Sequence, residues 1–412
     1  YFNEIEQMLN LARTELDRPE EVIVPSTANL QEFLDKGGAI RCSAMSTYST
    51  QGGFIATKPL SLWGDGSTLI SNGQAGMRIP TGLKGFSFTN IMFQTRIDRA
   101  AFQAGFIDGT QVTLDQVPSD VKLDHCSVIN YRGKHCIEIH AKDVQILNSE
   151  VRDAYDPGGR DSQAIWIGNT PGNILVEGGY YEAVSENILV GGANMTIPNV
   201  RPTGITIRNV ELSKNLAWKG SMPSVKNLLE LKDGHDVLIE NVKGTNCWKS
   251  GQDGWAFMFT PTNGGSLQNV LVKNCEISNV GGIVNVTGTD AHDKNTTRSQ
   301  VRFDGGVYRT NSREMGGRGI FAILLGGPEL FEVRNVYCRH DGNSFITTDQ
   351  KVIDRVVVEN CDFNCGNYGF NIGGRMHGDN SVGYIKELIC RGNTITGASN
   401  TFKARFPENT YV

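Results

Sequence analysis

The chain carries no run of 18 apolar residues, so nothing in it reads as a membrane-spanning helix. It lacks a basic excess too. Its 39 Lys and Arg face 44 Asp and Glu, a net charge of −5 without a long single-sign block, which sets phosphate-backbone binding aside as a main task. Neither a nucleic-acid nor a membrane partner is expected. Proline is scarce, 13 of 412 residues against a usual ~5%, which excludes collagen-like and Pro-rich disordered chains. The nine cysteines show no CxxC pair and no zinc-finger spacing, so buried free thiols are the expectation. The start, Tyr1-Phe2-Asn3-Glu4, has neither the basic flank nor the apolar stretch of a secretion signal, and it begins without Met, as an excised piece would.

Glycine, by contrast, is abundant: 48 residues against a usual ~7% imply many tight turns. They belong to a repeat. An eight-residue unit, apolar-x-apolar-x-(Asn/Gly)-x-x-apolar, begins at Leu60, Phe86, Val121, Val144, Ile174, Ile205, Val237, Val270, Val301, Phe331, Val356 and Leu388. Positions 1 and 3 alternate inward as a strand requires. Position 5 is Gly or Asn everywhere except His125. These residue types enter the left-handed backbone region most readily, so each unit should bend sharply there between two strands. A third apolar pair follows in most repeats, such as Ile137/Ile139, Ile165/Ile167, Ile188/Val190, Leu229/Leu231 and Ile323/Leu325, giving three strands per repeat.

A three-strand coil cannot bury its apolar face alone, whereas coils stacked at the ~4.8 Å strand spacing pair every backbone group with the coil above and below. The expected fold is all-β, a right-handed parallel β-helix, a single-stranded solenoid with an N-terminal helical cap. Spacings of 23 to 35 residues fit it, because insertions can bulge between strands. Over residues 60 to 395 the chain resembles the superfamily that includes pectate lyases, polygalacturonases and phage tailspikes. The expected division is a helical and capping segment over 1–58, the β-helix over 59–400 and a C-terminal tail over 401–412. Residues 2 to 17, with Ile5, Met8, Leu9, Ala12 and Leu16 on one face, and a second helix from Ala28 to Lys36 would form the cap. Cys126, Cys275 and Cys361 occupy the slot that Ile91, Val210 and Val242 fill in other coils, and read as small hydrophobes.

Between the inward residues of the third strand, side chains should point to solvent and form a column: Glu138, Trp166, Leu189, Glu230, Met258, Asn285, Leu324, Thr347 and Asn371. Insertions over 152–163, 213–227 and 244–255 would wall it into a groove suited to an extended polymer. Four tryptophans, Trp166, Trp218, Trp248 and Trp255, lie on the groove or its walls; each alone reads as packing under its loop, and the four together point to sugar stacking. Carboxylates gather there as well. Sugar hydrolysis needs two carboxyl groups about 5 to 9.5 Å apart, one kept protonated. Asp161 and Glu186, in neighbouring coils, are the leading pair at roughly 8 Å, with Asp156 and Glu230 as further catalytic candidates. Glu138 and Glu230 are too far apart to act on one bond. The run Asp153-x-x-Asp156-x-x-x-x-Asp161 offers oxygens to a calcium ion but lacks the EF-hand pattern and reads first as a turn, so no cofactor and no metal site is assigned.

Asp124-His125-Cys126-Ser127 looks like a pectate lyase stretch, yet Asp and His are repeat positions 4 and 5, which the turn explains. The paired aspartates and Gly-His-Gly of polygalacturonases are absent. Asp161-Ser-Gln-Ala-Ile165, Ser185-Glu-Asn-Ile-Leu-Val-Gly-Gly192, Lys226-Asn-Leu-Leu-Glu-Leu-Lys232 and Gly254-Trp-Ala-Phe-Met-Phe-Thr-Pro261 resemble a group of bacterial right-handed β-helix repeat proteins, a likeness that implies the fold and names no reaction. The functional expectation is recognition of a surface polysaccharide, with cleavage by hydrolysis or by a lyase mechanism. Its rival is a non-catalytic structural or adhesive component of a virion or cell surface. The tailspike resemblance implies an extracellular or virion-surface location and a homotrimer.

Overall fold

The computed structural model describes residues 21–397 apart from 74, 97, 108, 291–294, 350 and 374–383, together with the backbone of 402–404. Every strand-to-strand pairing among them is parallel. In the third position of successive coils, thirteen strands stack in chain order from Phe54–Ile55 through His135–Ile139, Gln163–Ile167, Ile188–Val190, Leu229–Leu231 and Trp255–Phe259 to Phe402–Ala404. First strands stack in register on theirs, Val121 on Val144 and Val144 on Ile174, as do second strands, Val128 on Val151. The chain is a right-handed parallel β-helix.

The corners explain the repeat. Asn90, His125, Asn148, Asn209, Asn241, Asn274, Asn335 and Asn360 all hold φ between +46° and +56°, and Gly178, Gly305 and Gly392 lie close by at +65° to +72°. Side chains at these corners bond from coil to coil: Asn241 Nδ2 donates to Asn209 Oδ1 at 3.2 Å, and Asn335 Nδ2 to Asp304 Oδ1 at 2.7 Å. A second ladder, Asn311 to Asn279 to Asn246, follows the next corner at 2.9 and 2.7 Å.

Gly64 departs from the pattern. There the left-handed residues are Asp65 and Gly66, and the ladder resumes at Ser67 opposite Ile91. Gly64 is needed for another reason: a Cβ would stand 2.5 Å from Asn90 O and from Ile91 Cγ1. Gly64→Ala should therefore destabilise the chain by about 1–3 kcal/mol through overpacking, read as a lower melting temperature. A melting temperature equal to wild type would show that the neighbouring coil gives way.

Aromatic residues fill the interior, with Phe88, Phe93 and Phe102 in edge and tilted contacts toward the N-terminal end and Phe321, Phe345 and Phe363 stacked face to face toward the other. All nine cysteines are free, and eight of them are buried.

Four expectations shift. The ladder starts earlier than residue 59, because Val22–Val24 pairs with Gly38–Cys42, which pairs with the strand at Leu60. It also runs past 400, because Phe402–Ala404 pairs with Tyr368–Ile372. The second helix expected near the N-terminus is a short one, Leu30–Leu34, with Asn29 capping its start and Leu30 and Leu34 buried; the first, over 2–17, lies outside the described residues. In the coil at 322–325, Asn285 pairs with Ile323, so Ala322 and Leu324 face inward and Ile323 takes the outward place.

Candidate functional site

The outward column of the third-strand sheet is in register as expected, Glu138 beside Trp166, Leu189, Glu230 and Met258, but it is not a solvent-exposed floor. Trp166, Leu189, Glu230, Met258 and Ile323 are each 8% exposed or less, with Met258 and Ile323 packed against Trp255 and Ile320. The tryptophans share this fate. Trp218 and Trp248 pack together with Val184, Val225 and Met315 under the wall loops, and Trp255 packs on Met258, Ile320 and Ile323. At 2–4% exposure these three present no ring face to a sugar, which corrects the stacking role for them. Trp166 alone borders the open groove; its ring stacks on His135 at 4.4 Å, and its Nε1 donates to Gly191 O.

What remains open is a groove in two adjoining parts. A pocket of about 570 Å³ lies over the coils of Arg78, Gln103 and Glu138, and a second of about 310 Å³ over those of Gln163, Glu186 and Lys226. Lys134, His135 and Trp166 line both.

The second pocket holds the acids. Glu186 is 1% exposed at its base, where Gln163 Nε2 donates to its Oε2 at 2.6 Å. Burial, and then the carboxylate of Glu230 within hydrogen-bonding reach, push the Glu186 pKa up. Glu230 lies behind it, fully buried, held by Lys232 at 2.9 Å and by Asn227 Nδ2 at 3.0 Å. A second carboxylate this close disfavours ionisation of Glu186. At the mouth, Lys226 Nζ meets Asp161 at 2.5 Å and Glu186 at 3.4 Å. The Asp161 and Glu186 oxygens on this one ammonium are therefore no more than about 6 Å apart, closer than the roughly 8 Å that coil spacing suggested. Asp161 is the exposed member, its side chain 49% accessible.

Behind the acids is a group that no sequence pattern marked. Lys214 is fully buried, and its Nζ is surrounded by four acceptors: the carbonyls of Ala183 and Asn227 at 2.9 Å, Asn187 Oδ1 at 2.6 Å and the carbonyl of Ser185. Burial pulls its pKa down to about 8, so the ammonium persists at neutral pH. The residues it grips flank Glu186 on both sides and adjoin Lys226.

Asp156 takes no part in the pocket. It accepts from Gly158 N at 2.6 Å and from Arg160 at 2.5 Å, and Arg160 also reaches Asp98, so this carboxylate braces a loop. Nor do Asp153, Asp156 and Asp161 converge on a calcium ion: they pair with Arg132, Arg160 and Lys226 respectively. No cluster of three or more His, Cys, Asp or Glu side chains suited to a metal occurs among the described residues. His125 sits on an outer corner, bound to Asp124 at 2.7 Å, as its place in the turn requires.

No protein-family model matches the chain, and no curated protein matches it in sequence. Solved structures do match in shape. The surface adhesin PfbA of Streptococcus pneumoniae superposes with a TM-score of 0.55 at 13% identity, over 90% of this chain and 86% of that one. The A-module of the Azotobacter vinelandii mannuronan C-5 epimerase AlgE4 gives 0.57 at 11% identity, over 97% and 99%. The tailspike of Escherichia coli bacteriophage HK620, solved with a pentasaccharide, gives 0.55 at 12% over 92% of this chain, which spans only 64% of the tailspike. What this chain has in common with all three is the pectate-lyase-like fold, the right-handed parallel β-helix.

Proposed function

We propose that the chain recognises an extended surface polysaccharide along the two-part groove and cleaves it, with Glu186 as proton donor and Asp161 as the second carboxyl group. The observation that carries this reading is the unequal environment of two nearby carboxyls. Burial and the neighbouring Glu230 raise the Glu186 pKa and so favour its protonated form, while Asp161 is open to solvent at the cleft mouth. Such a division of roles is what glycosidic hydrolysis requires, and a separation of no more than about 6 Å fits the retaining geometry of about 5–5.5 Å better than the inverting one. Lys226 lies between the two in the free protein, so a bound sugar has to displace it.

That same lysine favours a second reading, binding without turnover, as in a structural or adhesive component of a virion or cell surface. The fold neighbours include an adhesin, a polysaccharide epimerase and an oligosaccharide-bound tailspike, which supports a glycan partner and a surface location under either reading. A glycan array combined with reducing-sugar and unsaturated-product assays separates the readings. Hydrolysis gives reducing ends without new ultraviolet absorbance; a lyase gives both; binding with no product across diverse glycans leaves only the adhesive role. The homotrimer belongs to the surface role, and sedimentation of the full chain tests it.

A further inference from the structure

The larger pocket holds none of the acid machinery, and its charges do not balance. Its two carboxylates are already engaged: Asp98 with Arg160 and the Lys134 backbone N–H, and Glu138 with His140 and Gln103. Arg78, Arg99 and Lys134 line the same pocket, and none of the three has a carboxylate partner among the described residues. Arg78 is half-buried on the sheet itself, in register with Gln103 and Glu138, and its Nε is buried with no hydrogen-bond partner. Burial and the neighbouring Arg99 both weaken its hold on its proton, as expected of a guanidinium with no counter-charge. Leaving a buried donor of a charged group unpaired is costly, and a planar fork of N–H groups is matched best by a two-oxygen anion.

We infer that this pocket is an anion subsite, in which Arg78, Arg99 and Lys134 bind an acidic substituent, carboxylate or sulfate, on the polysaccharide. The inference rests on the glycan reading of the groove and adds its substrate class. Arg78 stands five coils from Glu230 in the same column, roughly 24 Å at the strand spacing. The acidic unit it recognises is therefore several sugars from the bond placed at Glu186, and charge selects the polymer without entering the chemistry.

The test uses the full chain on an array of neutral, uronate-bearing and sulfated oligosaccharides at low and high salt. Wild type should prefer one acidic class over its neutral counterparts and lose that preference as salt screens it. R78Q together with R99Q should weaken acidic binding by on the order of tenfold or more and leave neutral binding unchanged. Arg99 is exposed, so R99Q alone carries the test should R78Q misfold. The uronate and sulfate arms identify the anion. Equal binding of neutral and acidic glycans, or acidic binding that R99Q and the double variant leave intact, overturns the subsite while the glycan reading stands. Binding of no glycan at all overturns both.

Discussion

Lys214→Met should cost about 3–5 kcal/mol of stability, the range for removing one partner of a buried charged network, and should disable the cleft before it unfolds the ladder. The methionine has a similar length and no donors. It leaves the carbonyls of Ala183, Ser185 and Asn227 and the amide oxygen of Asn187 facing a thioether in a buried site. Each buried acceptor left unmade costs about 1–3 kcal/mol, partly offset because the substitution also relieves the burial of a charge. The loss is local. Ala183–Asn187 and Lys226–Asn227 belong to two successive coils, while the Asn corners and the phenylalanine stacks lie elsewhere on the solenoid. Hydrogen exchange should therefore show residues 183–187 and 225–228 losing protection while distant first strands keep theirs, because each repeat contacts only its neighbours. A variant with wild-type melting and unchanged exchange at these loops would mean that Lys214 is replaceable and does not position Glu186.

The ladder was legible in the sequence for a physical reason. A left-handed corner is a demand on single residues, so eleven of the twelve position-5 residues announce themselves locally, and the exception, Gly64, answers to close approach from Asn90 instead. Register slipped once, at Ala322-Ile-Leu-Leu325, where four apolar residues in a row give alternation nothing to discriminate. The groove was less legible. Alternation says which side chains leave the interior, but it cannot say whether a loop comes back to cover them. Apolar residues such as Leu189 and Met258 in an outward column are the available signal that it does, and Trp218, Trp248 and Trp255 are buried as well. The place of Glu186 beside the wall marks it in the sequence, whereas its contact with Glu230 is not marked, because Glu230 invites comparison first with Glu138, three coils away in the same column. The register of Leu189 with Glu230 brings it to the coil next to that of Glu186. Lys214 and Lys226 could have been found only by asking what neutralises so many carboxylates and carbonyls in one place.

Glu186→Gln should abolish cleavage while making the folded protein more stable near neutral pH, and the opposition of the two effects is what marks a functional acid. The native pKa of Glu186 lies above its unfolded value, so between the two the native state binds more protons than the unfolded state and stability falls as pH rises. A neutral amide of the same shape removes that decline: it keeps a donor for Glu230 and cannot become a second charge beside it. The melting temperature of the variant should match wild type in acid and exceed it by about a degree or two at neutral pH. Turnover should fall by about 10²–10⁴, the usual contribution of a general acid, with glycan binding retained. The wild-type rate should decline on the alkaline side as Glu186 loses its proton, and Asp161→Asn should lower the rate while leaving that alkaline limb in place. If Glu186→Gln instead melts lower than wild type at every pH, the carboxyl pair is a structural tie. The hydrogen bonds to Gln163 and Glu230 would then account for its burial, and the groove would be left to binding alone.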